Sequence, residues 1–371
     1  MSIVKFSEVA HRANTKEDRF NTDKIYYVGG EHIESEELII HDKGLIKGST
    51  IGPMFYCGFK SGQILFVTRN PHLKKCGVAE FDGICSEKTF VIETKDRNVL
   101  LQEYLALVMQ TDDFWDYCEE NKSGGVNYFL NWSTLADYEF SLPPLPEQKA
   151  LADKLWAAYR LKESYKKLLA ATDEMVKAQF VEMFGGDKYP TIALEEVSLT
   201  WEKGQPLKKD DMVDNGETPC IHYGELFTKY GPIINNVLSS TNVSPKKISK
   251  AGDILFPSSD VTPNGLARCS MLSIDNVILG GDIIILRPKD EYNPSYISYA
   301  INQQTSQLLK RVNGGVVKHM SAKELKTVQI PIPPKNKQQE YISMAKQADK
   351  SGFELRKSID AIDNVIKSLI N

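Results

Sequence analysis

Ser141-Leu142-Pro143-Pro144-Leu145-Pro146-Glu147-Gln148 leads into a long amphipathic stretch, and Ile330-Pro331-Ile332-Pro333-Pro334-Lys335-Asn336-Lys337-Gln338-Gln339 leads into another, 190 residues later. Upstream of each, the same offset carries Gly62-Gln63-Ile64-Leu65-Phe66 to Gly252-Asp253-Ile254-Leu255-Phe256, and Gly124-Gly125-Val126 to Gly314-Gly315-Val316. The chain is therefore a faded duplication with the order globular unit, long helix, globular unit, long helix. Such a chain has pseudo-twofold character and suits a target with two half-sites.

After the first proline cluster, positions 151, 155, 158, 162, 165, 169, 172 and 176 alternate by four and three, with Leu151, Leu155, Ala158, Tyr165, Leu169, Thr172 and Val176 forming a seam that has one charged interruption, Lys162. After the second, the seam is Tyr341, Ala345, Ala348, Gly352, Leu355, Ile359, Ile362, Ile366 and Leu369. This period marks helices that pack along one side, with small residues where backbones approach closely. Pro143, Pro144 and Pro146 predict that the first helix begins near Glu147. Asn336, with Gln339 three residues on, predicts an N-cap for the second, and Gly185-Gly186 ends the first. Residues 147–184 would form a rod of roughly 57 Å. Its natural partner is its own repeat, paired antiparallel.

Within each globular unit, short β-branched and aromatic runs predict strands over 63–68, 88–93, 253–256 and 282–286, while 103–119 and its counterpart 296–309 have helical spacing. The expected fold class is α+β: two pseudo-twofold-related α+β globular domains (1–145 and 187–335) separated by a two-helix antiparallel coiled coil (146–186 and 336–371).

Bulk properties exclude several classes. The 371 residues are 42% hydrophobic and 25% charged, as in ordinary globular proteins. Six cysteines without a C-x-x-C pair predict reduced thiols. The most apolar run, 277–286, is broken by Gly280, Gly281 and Asp282, so neither a membrane span nor a signal core is expected, and the location is read as cytoplasmic. A net charge of −4 argues against nonspecific coating of DNA, which requires massed Lys and Arg. The six histidines are scattered, so no zinc site is expected. Asp82, Glu93 and Lys95 imitate a metal-dependent nuclease, but the second copy lacks the triad. No phosphate-binding G-x-x-x-x-G-K-[ST] loop and no Asn-Pro-Pro-Tyr type methyltransferase tetrapeptide occur.

The proline pairs with their following glutamines, the glycine loops some twenty residues upstream, and the fixed offset together resemble the specificity subunit of type I restriction-modification systems over the whole chain. What the resemblance implies is a noncatalytic subunit whose two domains each read half of a bipartite double-stranded DNA target, the helices setting the unread spacer. It implies no cofactor on this chain. The implied partners are two modification (methyltransferase) subunits carrying S-adenosylmethionine, and restriction/translocase subunits using ATP and Mg²⁺. One departure is Lys335-Asn336-Lys337, where the first copy has Leu145-Pro146-Glu147. A related type II system with a separate specificity chain and a helical adaptor that does not touch DNA are the alternatives.

Base reading needs forked donors and acceptors on loops, with cations for phosphates. Candidates in the first unit are Tyr26, Tyr27, Lys47, Lys60, Arg69, Asn70, Lys74, Lys75, Lys122, Ser123, Gly124, Gly125 and Asn127. In the second they are His222, Tyr223, Lys246, Lys247, Ser258, Ser259, Asn264, Arg268, Asn313, Gly314, Gly315, Lys318 and His319. The divergence of Asn127-Tyr128-Phe129 from Val317-Lys318-His319 suits unequal half-sites.

Overall fold

The computed structural model describes residues 2–370 and forms two compact units. One comprises the chain up to Lys166 together with the residues from Lys357 on; the other is Lys167–Arg356. The first is built on a five-stranded sheet in the order Ala10–Arg12, Thr89–Thr94, Ile64–Val67, Cys76–Ala79, Ile39–Ile40. Its central strand is buried along all four residues, which is why Ile64-Leu65-Phe66-Val67 is a continuous apolar run without polar alternation. Phe66 stacks on Trp115 at 5.7 Å and on Phe90 at 6.2 Å, joining this sheet to the helical face of the unit. A four-stranded sheet (Gly44–Leu45, Tyr26–Val28, Gly83–Ser86, Phe55–Phe59) completes it.

The second unit repeats the plan. Its five-stranded sheet runs Ser198–Lys203, Ile283–Pro288, Ile254–Pro257, Ser270–Leu272, Ile233–Ile234, and Trp201 stacks on Phe256 at 6.2 Å. In both sheets only the short edge strand pairs parallel. The four strand runs expected from composition are present within two residues at each end. The expected helix at 103–119 is instead two helices, Gln102–Val108 and Asp112–Glu120, because the Thr111 hydroxyl accepts from Phe114 N and starts a new helix. Its counterpart likewise divides into Pro294–Asn302 and Thr305–Leu309.

The long helices are Leu145–Phe184 and Lys335–Ile370. Each begins earlier than the prolines and Asn336 suggested. Glu147 N and Gln148 N both donate to the Pro144 carbonyl, and Lys337 N and Gln338 N to that of Pro334, so the second proline of each pair closes the first turn and Asn336 is not the cap. Pro146 is tolerated inside that turn because its missing N–H would have had no helical partner. Gln148, fully buried, donates from Nε2 to the carbonyls of Pro143 and Val99 (both 2.9 Å) and accepts at Oε1 from Leu101 N (3.0 Å). Gln338 repeats the contact to the Pro333 carbonyl at 2.8 Å.

The helices pair antiparallel within each unit. In the first, Leu155 and Ile366 are buried in one core flanked by Leu151, Ala158 and Ile362, and Asp363 meets Lys162. In the second, the Tyr341 ring lies 5.3 Å from Phe180 and Gly352 faces Leu169, while Ala345 is buried in the same core as Tyr341. Leu369 departs from the expected seam: it is 38% exposed, and Ile370 packs on the core in its place, as the drift of a 3.6-residue helix against a strict 3.5 repeat requires.

Lys162, an apparent interruption, is a bridge. Its ammonium lies 3.0 Å from Glu37 and 2.9 Å from Asp363, and Lys166 also reaches Glu37 at 2.9 Å. Burial disfavours the Glu37 carboxylate, but hydrogen bonds from Lys166 and Lys162 outweigh it and hold its pKa below the usual range. Lys162→Met leaves Asp363 without this cation and Glu37 with one; an expected loss of about 3 kcal/mol should appear in urea unfolding at pH 7. Since the folded pKa of Glu37 is depressed, its stabilisation is complete above the unfolded value of about 4.3 and is lost as pH falls through the folded value. Glu37→Gln should therefore flatten the acid limb of the stability profile.

Candidate nucleic-acid interface

The segment 123–129 is a closed loop at the end of the central strand of the first unit. Ser123 and Phe129 exchange backbone hydrogen bonds (2.8 and 2.9 Å), Asn70 N donates to the Tyr128 carbonyl, and Leu130 N donates to that of Thr68. Gly124 has φ +99°, and a Cβ there would stand 2.6 Å from the Asn127 carbonyl oxygen, so the turn itself demands glycine. The Arg69 guanidinium sits 5.2 Å above the Phe129 ring, and Lys122 lies 4.5 Å from the Tyr128 ring while pairing with Glu119. Asn70 is itself held at φ +51°.

The second unit rebuilds this arrangement at the 190-residue offset. Asn313 and His319 exchange backbone hydrogen bonds (3.0 and 2.8 Å), Met320 N donates to the Ser258 carbonyl, and Gly314 has φ +102°. Where the first unit has Arg69 over Phe129, the second has Ser259 Oγ 3.1 Å from His319 Nδ1. Asn313 Nδ2 donates to Glu324, and Lys318 Nζ to the Gly314 carbonyl. The cleft beside it, about 700 Å³, is lined by Trp201, Ser259, Asn313, His319 and Glu324 among others. The scaffold is thus the same in the two units while the presented side chains differ.

Thus Arg69, Asn70, Lys122, Ser123, Gly124, Gly125 and Asn127 are brought together in one unit, and Ser259, Asn313, Gly314, Gly315, Lys318 and His319 in the other. The remaining candidates lie elsewhere. Tyr26 and Tyr27 are on the four-stranded sheet, where Tyr26 packs on Phe81 and Tyr27 on His32 and Phe55. Lys47, Lys60, Lys246 and Asn264 are exposed. His222 Nδ1 accepts from Gly224 N, and Tyr223 packs on His222 and Phe227.

Several candidates are occupied internally. Ser258 is buried, since it continues the inward-facing strand Ile254–Pro257. Arg268 donates to the carbonyls of Phe227 and Tyr230, and burial lowers its pKa; it supports the chain beneath it. Lys74 lies between Glu36 (3.1 Å) and Asp112 (3.4 Å); burial opposes its charge, but these partners more than restore it. Lys75 donates to the Gly30 carbonyl at 2.6 Å, and Lys247 pairs with Glu202 at 2.7 Å. Adjacent lysines in sequence revealed a cation but not its neighbour across the fold. The nuclease-like trio is likewise engaged within the fold: Asp82 accepts from Ser61 N and Lys24, Glu93 accepts from Gln63 and lies 3.2 Å from His11 Nε2, and Lys95 donates to the Ser7 carbonyl.

Two residues absent from the candidates now stand out: Val126 is 92% exposed and Val316 is 90% exposed. Their recurrence within Gly-Gly-Val was visible in the sequence, but nothing there distinguished a tip from a strand start. Among the described residues, no helix is long and apolar enough to cross a membrane.

Comparison with known proteins accords with this geometry. The model of the type I restriction modification DNA specificity domain matches twice, over residues 8–171 and 187–362. Over 197 residues, half of this chain, the sequence is 26% identical to the type I restriction enzyme EcoDI specificity subunit of Escherichia coli, and the match spans only 42% of that protein's length. In fold, the whole chain aligns with 94% of the type I restriction-modification S subunit from M. genitalium (TM-score 0.65, 14% identity). It also aligns with 96% of a chain from a type I R-M system described for its complex assembly and conformational transition (TM-score 0.53, 18% identity).

Proposed function

This chain belongs to the type I restriction modification DNA specificity family, and we propose that it is the sequence-recognition subunit of such a complex, each globular unit reading one half of a bipartite DNA target. The observation that carries the reading is the loop constellation built twice on one backbone plan with different side chains: Arg69 and Phe129 in one unit, Ser259 and His319 in the other. A guanidinium offers forked donors that match the acceptor edge of guanine, whereas Ser and His offer single, reversible donor-acceptor groups. Unequal side chains on equal scaffolds suit unequal half-sites.

In this reading the chain performs no catalysis. Methylation of adenine belongs to two modification subunits that bring S-adenosylmethionine, and translocation and cleavage to restriction subunits using ATP and Mg²⁺. The chain's net charge of −4 leaves phosphate neutralisation chiefly to those partners. The continuous helices, Leu145–Phe184 and Lys335–Ile370, would set the spacer and dock the methyltransferase subunits.

Mapping methylated adenines in DNA from cells that express this chain with its modification partner tests the proposal directly; a single two-part motif is expected, and methylation without sequence preference would overturn it. Binding of the assembled complex should weaken steeply with ionic strength, whereas the purified chain alone should bind duplex DNA poorly at physiological salt. Replacing Arg69 by Ser together with Phe129 by His should alter the bases of one half-site only. Inserting four residues near Tyr165, about one helical turn, should lengthen the preferred spacer and leave both half-sites unaltered. An unchanged spacer would remove the ruler role.

A further inference from the structure

Glycine recurs at the 190-residue offset at three places: Gly62 and Gly252, Gly124 and Gly314, Gly125 and Gly315. The first two pairs are explained by the fold itself, for they have φ of +89° and +96°, and of +99° and +102°. The third pair is not. Gly125 and Gly315 lie outside the left-handed region, and a Cβ built on either would meet no atom within 4 Å. Gly52 and Gly231 also face open space without a positive φ, but their counterparts are Asn242 and His41, so the duplication did not retain them. Neither conformation nor packing within the chain requires glycine at 125 and 315, yet both copies have it.

Beside each stands a valine, Val126 or Val316, held almost wholly in solvent. An apolar side chain in that setting gains nothing from the folded chain. Meanwhile the residues that follow diverge completely, Asn127-Tyr128-Phe129 against Val317-Lys318-His319. Within one loop, then, the tip is constant and its flank is variable. A constant element serves a task common to both half-sites, and what two different half-sites share is the sugar-phosphate backbone, whose contacts position without specifying.

We infer that the tips Gly125-Val126 and Gly315-Val316 are sequence-independent anchors on duplex DNA, where the nucleic-acid backbone approaches the side of the glycine that lacks a Cβ. The inference rests on the proposed DNA-recognition reading. Lys122, beside Tyr128, is paired with Glu119, and Lys318, on the variable flank, is turned back to the Gly314 carbonyl, so the anchoring is assigned to the tip alone. The exposed valine seats against sugar carbons, an apolar surface present at every base pair. The division of labour is then explicit: the tip holds, and the variable flank with its strand-end partner reads.

The test uses the complex of the full chain with its modification subunits and two duplexes, one with the mapped target and one with both half-sites scrambled. Gly125→Ala should unfold at the wild-type temperature, because its Cβ meets nothing in the chain, yet bind both duplexes more weakly by a common factor of roughly ten. The methylated motif should be unchanged. Gly124→Ala is the control for loop damage and should lower the unfolding temperature. Val126→Asp, which places a carboxylate at the tip, should give the same uniform loss as Gly125→Ala. Wild-type affinity in both tip variants overturns the inference, as does a changed motif, which would make the tip a reader. Loss of methyltransferase assembly with DNA contact intact also overturns it, assigning the tip to a protein partner. If the wild-type complex itself shows no preference between the duplexes, the recognition reading falls first; preference in the wild type with unaffected tip variants removes the anchor alone.

Discussion

Gln148 shows how a globular unit and a long helix become one object. Its amide is saturated by the Pro143 and Val99 carbonyls and by Leu101 N, with no exposure to water. A buried amide with all these bonds made fixes the direction in which the helix leaves its sheet, since any tilt would strand at least one desolvated polar group. The proline pair performs the complementary task by blocking helix before it and offering the Pro144 carbonyl as the first acceptor. Gln338 and the Pro333-Pro334 pair repeat the joint, with fewer bonds. The Pro-Pro and Gln spacing is therefore a mechanical joint, which explains why it survives where most of the surrounding sequence has diverged.

The duplication made most of the fold legible. A fixed offset carried strands, glycine turns and helix starts together, the period of the long stretches announced helices with a packed side, and the twofold character of the duplication gave their antiparallel direction. Legibility failed where a single polar side chain decides a local outcome. Thr111 reads as one more residue in an amphipathic run until its hydroxyl is seen to accept from Phe114 N and divide the helix. Lys162 reads as a flaw in an apolar seam until Glu37, far away in sequence, and Asp363 appear on either side of it. Such a buried bridge favours one register over others, since sliding the helices would leave a charge desolvated and unpaired.

The candidate interface was legible as a loop but not as a constellation. The glycines and the divergence after them were plain. What periodicity could not show is that the strand-end residues Arg69 and Ser259 stand against Phe129 and His319 at matching positions. The lysine pairs misled for a physical reason: carboxylates distant in sequence stand beside these cations in the fold, as Glu36 and Asp112 do for Lys74 and Glu202 does for Lys247. Counting charges along a sequence cannot reveal which of them remain free to meet a phosphate.

In the proposed reading, that internal pairing bears on how recognition would be achieved by a chain with net charge −4. Free cations in excess would bind any duplex and bury the small differences in energy on which sequence choice depends. Pairing lysines such as Lys74 and Lys247 internally would keep that nonspecific attraction low on this chain, so that a few forked or aromatic side chains beside a loop could decide which site is occupied. Affinity can then come from partner proteins and specificity from this one. The constraint also explains the economy of the interface: within each unit a rigid strand end and one short loop present few variable positions, and duplication provides the second set without a second fold.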